Sequence, residues 1–179
     1  MRPDDTPEVT PTACAGFASP VGPLTATATE TGLLRLEFAG GTSAAPPAMD
    51  PGSGPAATRW LAQLGAELSG YFDGDLQQFT VPLDWSLVTG ARRQVLATLY
   101  RTVGYGQTTS YGQLAAASGR PGAARLVGTV MGSNPIPIVV PCHRVLAGDG
   151  SLGGYGPGVP LKRQLLELEG ALPTPLPAW

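Results

Sequence analysis

The segment 141–145, with the sequence PCHRV, places the thiol of Cys142 next to the imidazole of His143, the only histidine in the 179 residues. A thiol becomes a nucleophile near neutral pH when a base or a positive environment promotes its deprotonation. The apolar run 136–140 enters the segment with a proline on either side, and proline cannot continue a sheet ladder. We therefore expect the thiol at a strand end or in a loop. A buried structural cysteine beside an incidental histidine is the alternative.

Composition limits the classes of protein that this chain can belong to. Its length suits one globular domain or two small ones, and no apolar stretch approaches the roughly 20 residues of a membrane span. Residues 1–10 hold acids and prolines where a signal peptide needs a basic start and an apolar core. We expect a cytoplasmic protein without membrane contact. Two cysteines and one histidine argue against a structural zinc site, so we predict no metal or cofactor, and we interpret Cys14 as a free thiol without function.

Charge is distributed unevenly along the chain, although the net charge is only −2. Residues 1–90 carry three arginines against ten acids, a net −7, whereas residues 91–179 carry eight basic residues against three acids, a net +5. Such asymmetry indicates that the basic half binds a polyanion. A solvated basic face would give the same pattern.

The first half of the chain is typical of a small α/β unit. Residues 1–15 are polar and rich in proline, which predicts a disordered leader. Residues 17–38 alternate in the manner of strands, and residues 40–56 are typical of a linker or long surface loop. Helical spacing of apolar residues predicts a helix over 57–72. We expect these elements to form an N-terminal domain over residues 16–86.

The second half is richer in helix, and we expect a second domain over residues 87–170 followed by a loose tail, 171–179. Two short helices around a glycine-containing turn are a candidate helix-turn-helix. Apolar periodicity, capping residues and glycine stops predict the helices 89–102, 110–117, 122–131 and 159–169.

The order of these features resembles the O6-alkylguanine-DNA alkyltransferases, also called methylated-DNA–protein-cysteine S-methyltransferases. The resemblance implies an α/β fold with a ribonuclease H-like N-terminal sheet plus helix, and a mostly helical C-terminal winged helix-turn-helix domain. Several spaced motifs in the right order are far more specific than any one of them. The matching strings are SPVGPLTATATETGLLRLEF at 19–38, TTSYGQLA at 108–115, RPGAARLVG at 120–128, NPIPIVVPCHRVLAGDGSLGGYG at 134–156 and KRQLLELEG at 162–170.

The resemblance implies DNA repair by direct reversal. Cys142 would be the alkyl acceptor, attacking the alkyl carbon on guanine O6 and keeping the group irreversibly, so that each molecule acts once. The family relay runs from a glutamate through the histidine and a water to the cysteine, which assigns Glu169, His143 and Cys142 to these roles. The implied partner is double-stranded DNA containing O6-alkylguanine, and we expect a monomer. Whether O4-alkylthymine is accepted stays open.

The family resemblance also assigns residues to base flipping, the extrusion of the target base from the duplex. Arg125 would enter the vacated space in the stack. Tyr111 would help to rotate the target phosphate and would hydrogen-bond the flipped base. Asn134 would link the recognition helix to the active-site loop.

Other matching positions surround the expected pocket and the DNA. Tyr155 and Gly156 would close the pocket over the guanine, and the carbonyls of Cys142 and Val145 would read its exocyclic amine. The positions expected near the DNA backbone are Arg92, Gly112, Arg120 and Gly148.

One alternative function remains at this stage, that of a non-catalytic relative that binds alkylated DNA. In such relatives tryptophan replaces the reactive cysteine, so Cys142 argues against it. It stays open because Ala91, Leu96 and Ala97 stand where the family commonly has aromatic residues.

Overall fold

The computed structural model of the chain describes residues 12–39 and 54–173. Residues 1–11 of the predicted leader, 40–53 of the predicted loop and 174–179 of the predicted tail lie outside the described residues. Within the two described ranges, no helix combines the length and the apolar character needed to cross a bilayer.

A three-stranded antiparallel sheet opens the described chain. Strands β1 (Thr12–Phe17), β2 (Leu24–Thr29) and β3 (Leu33–Phe38) lie in sequence order. The prediction of disorder is wrong for residues 12–15, because β1 pairs with β2 along its whole length, from Thr12 opposite Thr29 to Phe17 opposite Leu24. Ladder pairing satisfies the backbone groups that an isolated polar leader would leave to water.

Helix α1 (Pro55–Phe72) covers this sheet and packs against β1 and β2. Its buried residues recur at helical spacing, as predicted, and form the stripe Ala57, Leu61, Leu64, Leu68 and Tyr71. On the sheet side, the alternate residues Leu24, Ala26 and Ala28 of β2 are buried against the helix. This sheet and helix form the core of the N-terminal half.

The second half is mostly helical, as predicted. Its elements are α2 (Gly90–Thr102), β4 (Thr109–Ser110), α3 (Tyr111–Ala117), α4 (Ala124–Gly132), a 3-10 helix (Cys142–Arg144), β5 (Val145–Leu146) and α5 (Val159–Leu168). Strands β4 and β5 pair in parallel, with Thr109 opposite Val145. This pairing brings the start of α3 next to the segment that follows Cys142.

The start of α4 differs from its prediction. The helix begins at Ala124 rather than at Gly122, because Gly122 has a φ of +84°, which a right-handed helix cannot accommodate. The amide of Ala123 instead donates to the carbonyl of Arg120 at 3.1 Å and closes a turn. Helices α3 and α4 pack against each other across this turn, in the arrangement expected of a helix-turn-helix.

Helices α3 and α2 are capped differently at their N-termini. Ser110 caps α3 fully, since its hydroxyl accepts from the Gln113 amide at 3.1 Å while the Gln113 side chain accepts from the Ser110 amide at 2.8 Å. Thr89 precedes α2 with an extended backbone but makes no side-chain capping hydrogen bond. Leu96 on α2 is fully buried, so an aliphatic side chain fills the core at one position where the family commonly has aromatic bulk.

Candidate active site

Cys142 begins the 3-10 helix and is 5% exposed. It forms part of the wall of a cavity of about 370 Å³ whose lining residues come from α3, α4, the 3-10 helix and the glycine-rich loop before α5. The structure confirms the expectation that the thiol does not lie mid-strand. The other residues that line the cavity are Tyr111, Gly128, Met131, Gly132, Gly154, Tyr155 and Gly156.

The approach to Cys142 is a tightly turned buried segment. Ile138 has a φ of +71°, and a β-branched residue in the left-handed region stores strain of about 1–3 kcal/mol. Asn134 holds this segment at both ends, because its side-chain amide donates to the Val140 carbonyl at 2.8 Å and its side-chain oxygen accepts from the Ile136 amide at 3.1 Å. Asn134 therefore joins the end of α4 to the residues that deliver the thiol.

Behind Cys142, the imidazole of His143 and the carboxylate of Glu169 form a buried pair. Nε2 of His143 lies 2.8 Å from Oε1 of Glu169, and both side chains are fully shielded from solvent. Glu169 directly follows α5, and its amide bonds back to the Leu165 carbonyl. The histidine and the glutamate of the predicted relay thus lie in direct contact.

Arg144 and Tyr71 complete the environment of that carboxylate. Arg144 donates from Nε to Oε2 at 2.8 Å and from Nη2 to Oε1 at 2.9 Å, and the Tyr71 hydroxyl donates to Oε1 at 2.7 Å. Burial alone would raise the pKa of Glu169, but the hydrogen bonds from His143 and Arg144, together with the positive charge of Arg144, lower it to about 2. Glu169 is therefore ionised at neutral pH.

His143 is neutral in this setting. Burial lowers the pKa of its imidazole, and this outweighs the opposite effect of Glu169. Since the ionised carboxylate can only accept, the neutral imidazole carries its proton on Nε2 and leaves Nδ1 free to accept a proton. Among the described residues, this buried Nδ1 has no hydrogen-bond partner. His143 can therefore serve as a general base.

The thiol itself is protonated at rest. Burial raises the pKa of Cys142, while hydrogen bonding by the Asn134 side chain and the positive charge of Lys162 lower it in part. A buried thiol of this kind needs a base to react. The Tyr155 hydroxyl lies close by, and burial together with the charge of a Cys142 thiolate raises the pKa of Tyr155.

Lys162 is a buried charged residue beside the site that sequence reasoning missed. It is fully buried on α5, and its ammonium donates to the carbonyls of Val145, at 2.6 Å, and of Leu152. Burial lowers its pKa to about 8. Lys162 thereby ties the loop that carries Tyr155 to the strand after Cys142. One lone pair of the Val145 carbonyl, which was expected to read the guanine amine, is occupied by this bond.

The residues expected to contact DNA lie outside the cavity wall, apart from Tyr111. Arg125 is exposed on α4 beside Leu126, an exposed leucine that the sequence did not single out. Arg92 is exposed but donates to the Ser133 carbonyl at 2.8 Å. Of the remaining positions, Gly112 and Gly148 are exposed and Arg120 is half-buried.

The cavity's small residues were also missed. Gly128 and Gly132 stand four residues apart on α4 and line the cavity, a spacing that is visible in the sequence as one helical face. Gly153 has a φ of +65°, and a Cβ there would lie 3.4 Å from the Tyr111 hydroxyl. Its left-handed backbone, rather than lack of space, is what favours glycine at this position beside Tyr111.

The fold and the site together define a class of protein: an α/β N-terminal unit joined to a helix-turn-helix domain that buries a cysteine directly before a histidine–glutamate pair. Within the part of the chain that is described, no group of three or more histidine, cysteine or acidic side chains could hold a metal ion.

Comparison with known proteins identifies the family. Residues 13–85 match the family described as the 6-O-methylguanine DNA methyltransferase ribonuclease-like domain, and residues 91–171 match the DNA-binding domain of the same methyltransferase. The chain belongs to the 6-O-methylguanine DNA methyltransferase family. This confirms the resemblance drawn from the sequence motifs and the predicted two-part fold.

Individual relatives match over most of their length. The methylated-DNA–protein-cysteine methyltransferase of Mycobacterium tuberculosis H37Rv is 42% identical over 157 residues, which cover 84% of this chain and 88% of the relative. The human protein of the same name is 41% identical over 162 residues, 85% of this chain and 77% of the relative. The crystal structure of Mycobacterium tuberculosis OGT in complex with DNA has a TM-score of 0.72 and 42% identity, covering 88% of this chain and 92% of that one.

Proposed function

We propose that this protein repairs DNA by direct reversal, transferring the alkyl group from guanine O6 in double-stranded DNA to the sulfur of Cys142. The observation that carries the proposal is the position of Cys142, on the wall of the cavity and directly before the buried His143–Glu169 pair. Curated relatives at about 40% identity are named methylated-DNA–protein-cysteine methyltransferases. The repair activity follows from membership of that family.

The chemistry that we propose is a single displacement. The Cys142 thiol gives its proton to Nδ1 of His143 through a bridging water, and Glu169 stabilises the imidazolium that forms. The sulfur then forms a bond to the alkyl carbon as the bond from that carbon to guanine O6 breaks. The guanine takes up a proton from water, and the imidazolium gives its proton to water, so that His143 is neutral again. Because the product is a thioether with no leaving group, each protein molecule reacts once.

Helix α4 supports a DNA-binding role for the second half. Its exposed face carries Arg125 and Leu126, while Gly128 and Gly132 on the same helix line the cavity. A duplex lying against this face would have its target base next to the cavity, and extrusion of that base would bring O6 to the thiol. Arg125 would fill the space left in the stack. The relative from Mycobacterium tuberculosis was crystallised in complex with DNA, which supports the same partner here.

The remaining sequence predictions are retained as part of this proposal. Tyr111 would hydrogen-bond the flipped base, Tyr155 and Gly156 would close over it, and the Val145 carbonyl would face its amine. We also infer a monomer located in the cytoplasm, with the domain boundary between residues 86 and 87. The residues proposed to lie near the DNA backbone are Arg92, Gly112, Arg120 and Gly148.

The direct test is to incubate the protein with duplex DNA carrying one O6-methylguanine and to map modified peptides by mass spectrometry. We expect one methyl group on the Cys142 peptide, saturating at one per protein molecule, and no transfer with Cys142→Ser. Cys14 provides an internal control thiol, since it lies in β1 with its sulfur 3.5 Å from the Thr27 hydroxyl. Tight binding without any modification would instead identify a non-catalytic recognition protein.

A further inference from the structure

The N-terminal domain contributes one side chain to the buried relay. Tyr71 lies in the last turn of α1, and its hydroxyl donates to Oε1 of Glu169 at 2.7 Å. The same oxygen accepts from His143 at 2.8 Å, so the tyrosine and the histidine share one acceptor. By sequence pattern Tyr71 is only the last apolar position of a helix stripe.

Aromatic packing fixes the direction of this hydroxyl. The Tyr71 ring is fully buried and stacks edge-on with Phe72 at 5.2 Å and Tyr105 at 6.1 Å, with Phe79 tilted against it at 5.4 Å. Burial and the negative charge of Glu169 raise the pKa of Tyr71, so the hydroxyl remains a donor throughout the working range. A rigid buried donor of this kind holds its acceptor in one place.

We infer that Tyr71 is a positioning residue for alkyl transfer, which keeps His143 neutral by taking up part of the charge of Glu169 Oε1. A carboxylate oxygen that already accepts a strong hydrogen bond attracts a second proton less. While Tyr71 donates to it, Glu169 can orient the imidazole of His143 without causing that imidazole to be protonated. Nδ1 of His143 then stays available for the thiol proton. The ribonuclease-like domain would thus take part in the chemistry. This inference deepens the proposed function and rests on it for the identity of the reaction.

The other charged and titratable groups around the pair are Arg144 from the 3-10 helix, Lys162 from α5, Tyr105 from the segment after α2 and Tyr155 from the glycine-rich loop. The positive charges of Arg144 and Lys162 both lower the pKa of His143. Neither positive charge is changed in a variant that lacks only the Tyr71 hydroxyl. A shift in the proton affinity of His143 in that variant therefore reports on the hydroxyl itself.

The test uses the full chain without a histidine tag, labelled with 15N-histidine, because His143 is then the only imidazole to be observed by NMR. Tyr71→Phe keeps the ring and removes only the donor. We expect the proton affinity of His143 to rise about tenfold, equivalent to about one pKa unit. The matched control is Tyr100→Phe, which removes a partly buried hydroxyl that donates to the Phe79 carbonyl at 3.2 Å and leaves Glu169 untouched; its titration should match that of the wild type.

A second measurement follows the thiol without DNA. The rate at which iodoacetamide modifies Cys142, read on the Cys142 peptide, should fall about tenfold near pH 6 in Tyr71→Phe and much less near pH 8.5, because only the neutral imidazole accepts the proton. The rate of transfer from free O6-benzylguanine to Cys142 should likewise fall near pH 6 and much less near pH 8.5. An unchanged His143 titration, or a rate loss equal at both pH values, would overturn the inference. The NMR and iodoacetamide readouts need no alkylguanine, so a wild-type protein that failed to accept the methyl group of O6-methylguanine in DNA would refute the proposed function separately.

Discussion

Arg144 and Glu169 form a bidentate buried ion pair, with Nε 2.8 Å from Oε2 and Nη2 2.9 Å from Oε1. Arg144 also donates from Nη1 to the Val103 carbonyl at 2.8 Å, which joins the end of α2 to the active-site segment. Arg144, two positions after Cys142, thus holds in place the carboxylate that hydrogen-bonds His143. The Glu169 carboxylate therefore both pairs with the buried Arg144 and hydrogen-bonds His143.

Glu169→Gln should reduce both activity and stability. An amide cannot stabilise the imidazolium as a carboxylate does, so alkyl transfer to Cys142 should slow by about a hundredfold. Arg144 would remain buried without its counter-charge, which costs about 3 kcal/mol of unfolding free energy. Transfer from free O6-benzylguanine and urea unfolding measure the two effects. Glu37→Gln is the control, since Glu37 is exposed on β3 and pairs only with the exposed Arg35 at 3.6 Å; an equal loss in that variant would contradict the prediction.

Stability should fall with acid in two stages. The pKa of His143 is lowered from its ordinary 6.5, so the unfolded chain binds a proton that the folded chain does not, and stability declines as the pH drops below about 6.5. The pKa of Glu169 is about 2, below its ordinary 4.5, so its contribution is present above about pH 4.5 and is lost as the pH falls toward 2. Urea unfolding between about pH 8 and pH 4 measures the first stage and the onset of the second.

His143→Gln separates these two stages. Without the imidazole, unfolding free energy should be nearly constant between about pH 7 and pH 5 and should decline only in the range where Glu169 titrates. An acid dependence identical to that of the wild type across the whole range would show that other groups are responsible for the first stage.

Sequence alone predicted the elements that rest on local patterns. The stripe of α1 is encoded in apolar residues three or four positions apart, and it occurs in the structure. The pairing of Glu169 with His143 was predicted only through the family motifs, because a lone acid at a helix end is otherwise a solvated residue. Pattern reasoning also missed the turn at Gly122, where a positive φ delays the start of α4.

The remaining site residues depend on tertiary contacts that no local pattern records. Tyr71 occupies an ordinary apolar position of α1, and its hydroxyl acquires a role only because α1 packs beside the end of α5. Lys162 is one of two adjacent basic residues on a helix, and nothing in its neighbourhood along the chain distinguishes it from the exposed Arg163. A buried charge is recognisable only when the groups that surround it are known.

Lys162→Met should loosen the loop that closes the cavity. The substitution retains an unbranched apolar stem but removes the donor that holds the Val145 and Leu152 carbonyls, leaving two buried acceptors unpaired at a cost of about 1–3 kcal/mol each. We expect faster proteolysis within residues 147–158 and about tenfold slower transfer to Cys142, because Tyr155 is carried by that loop. Arg163→Met, on the exposed face of the same helix, is the control. Unchanged proteolysis in Lys162→Met would show that the loop is held by other contacts.

Arg125→Ala should separate base flipping from alkyl transfer. Arg125 is exposed on α4 and is absent from the cavity lining, so it can influence the reaction only through the duplex. Unpairing and unstacking a base costs a few kcal/mol, and loss of the side chain that fills the gap should slow repair of O6-methylguanine in duplex DNA by about 10- to 100-fold. Reaction with free O6-benzylguanine needs no flipping and should change less than about twofold.

Single-turnover rates with both substrates test this, with Arg163→Ala as a control for the loss of one surface charge. Equal slowing with both substrates would place Arg125 in the chemistry of the pocket rather than in the duplex.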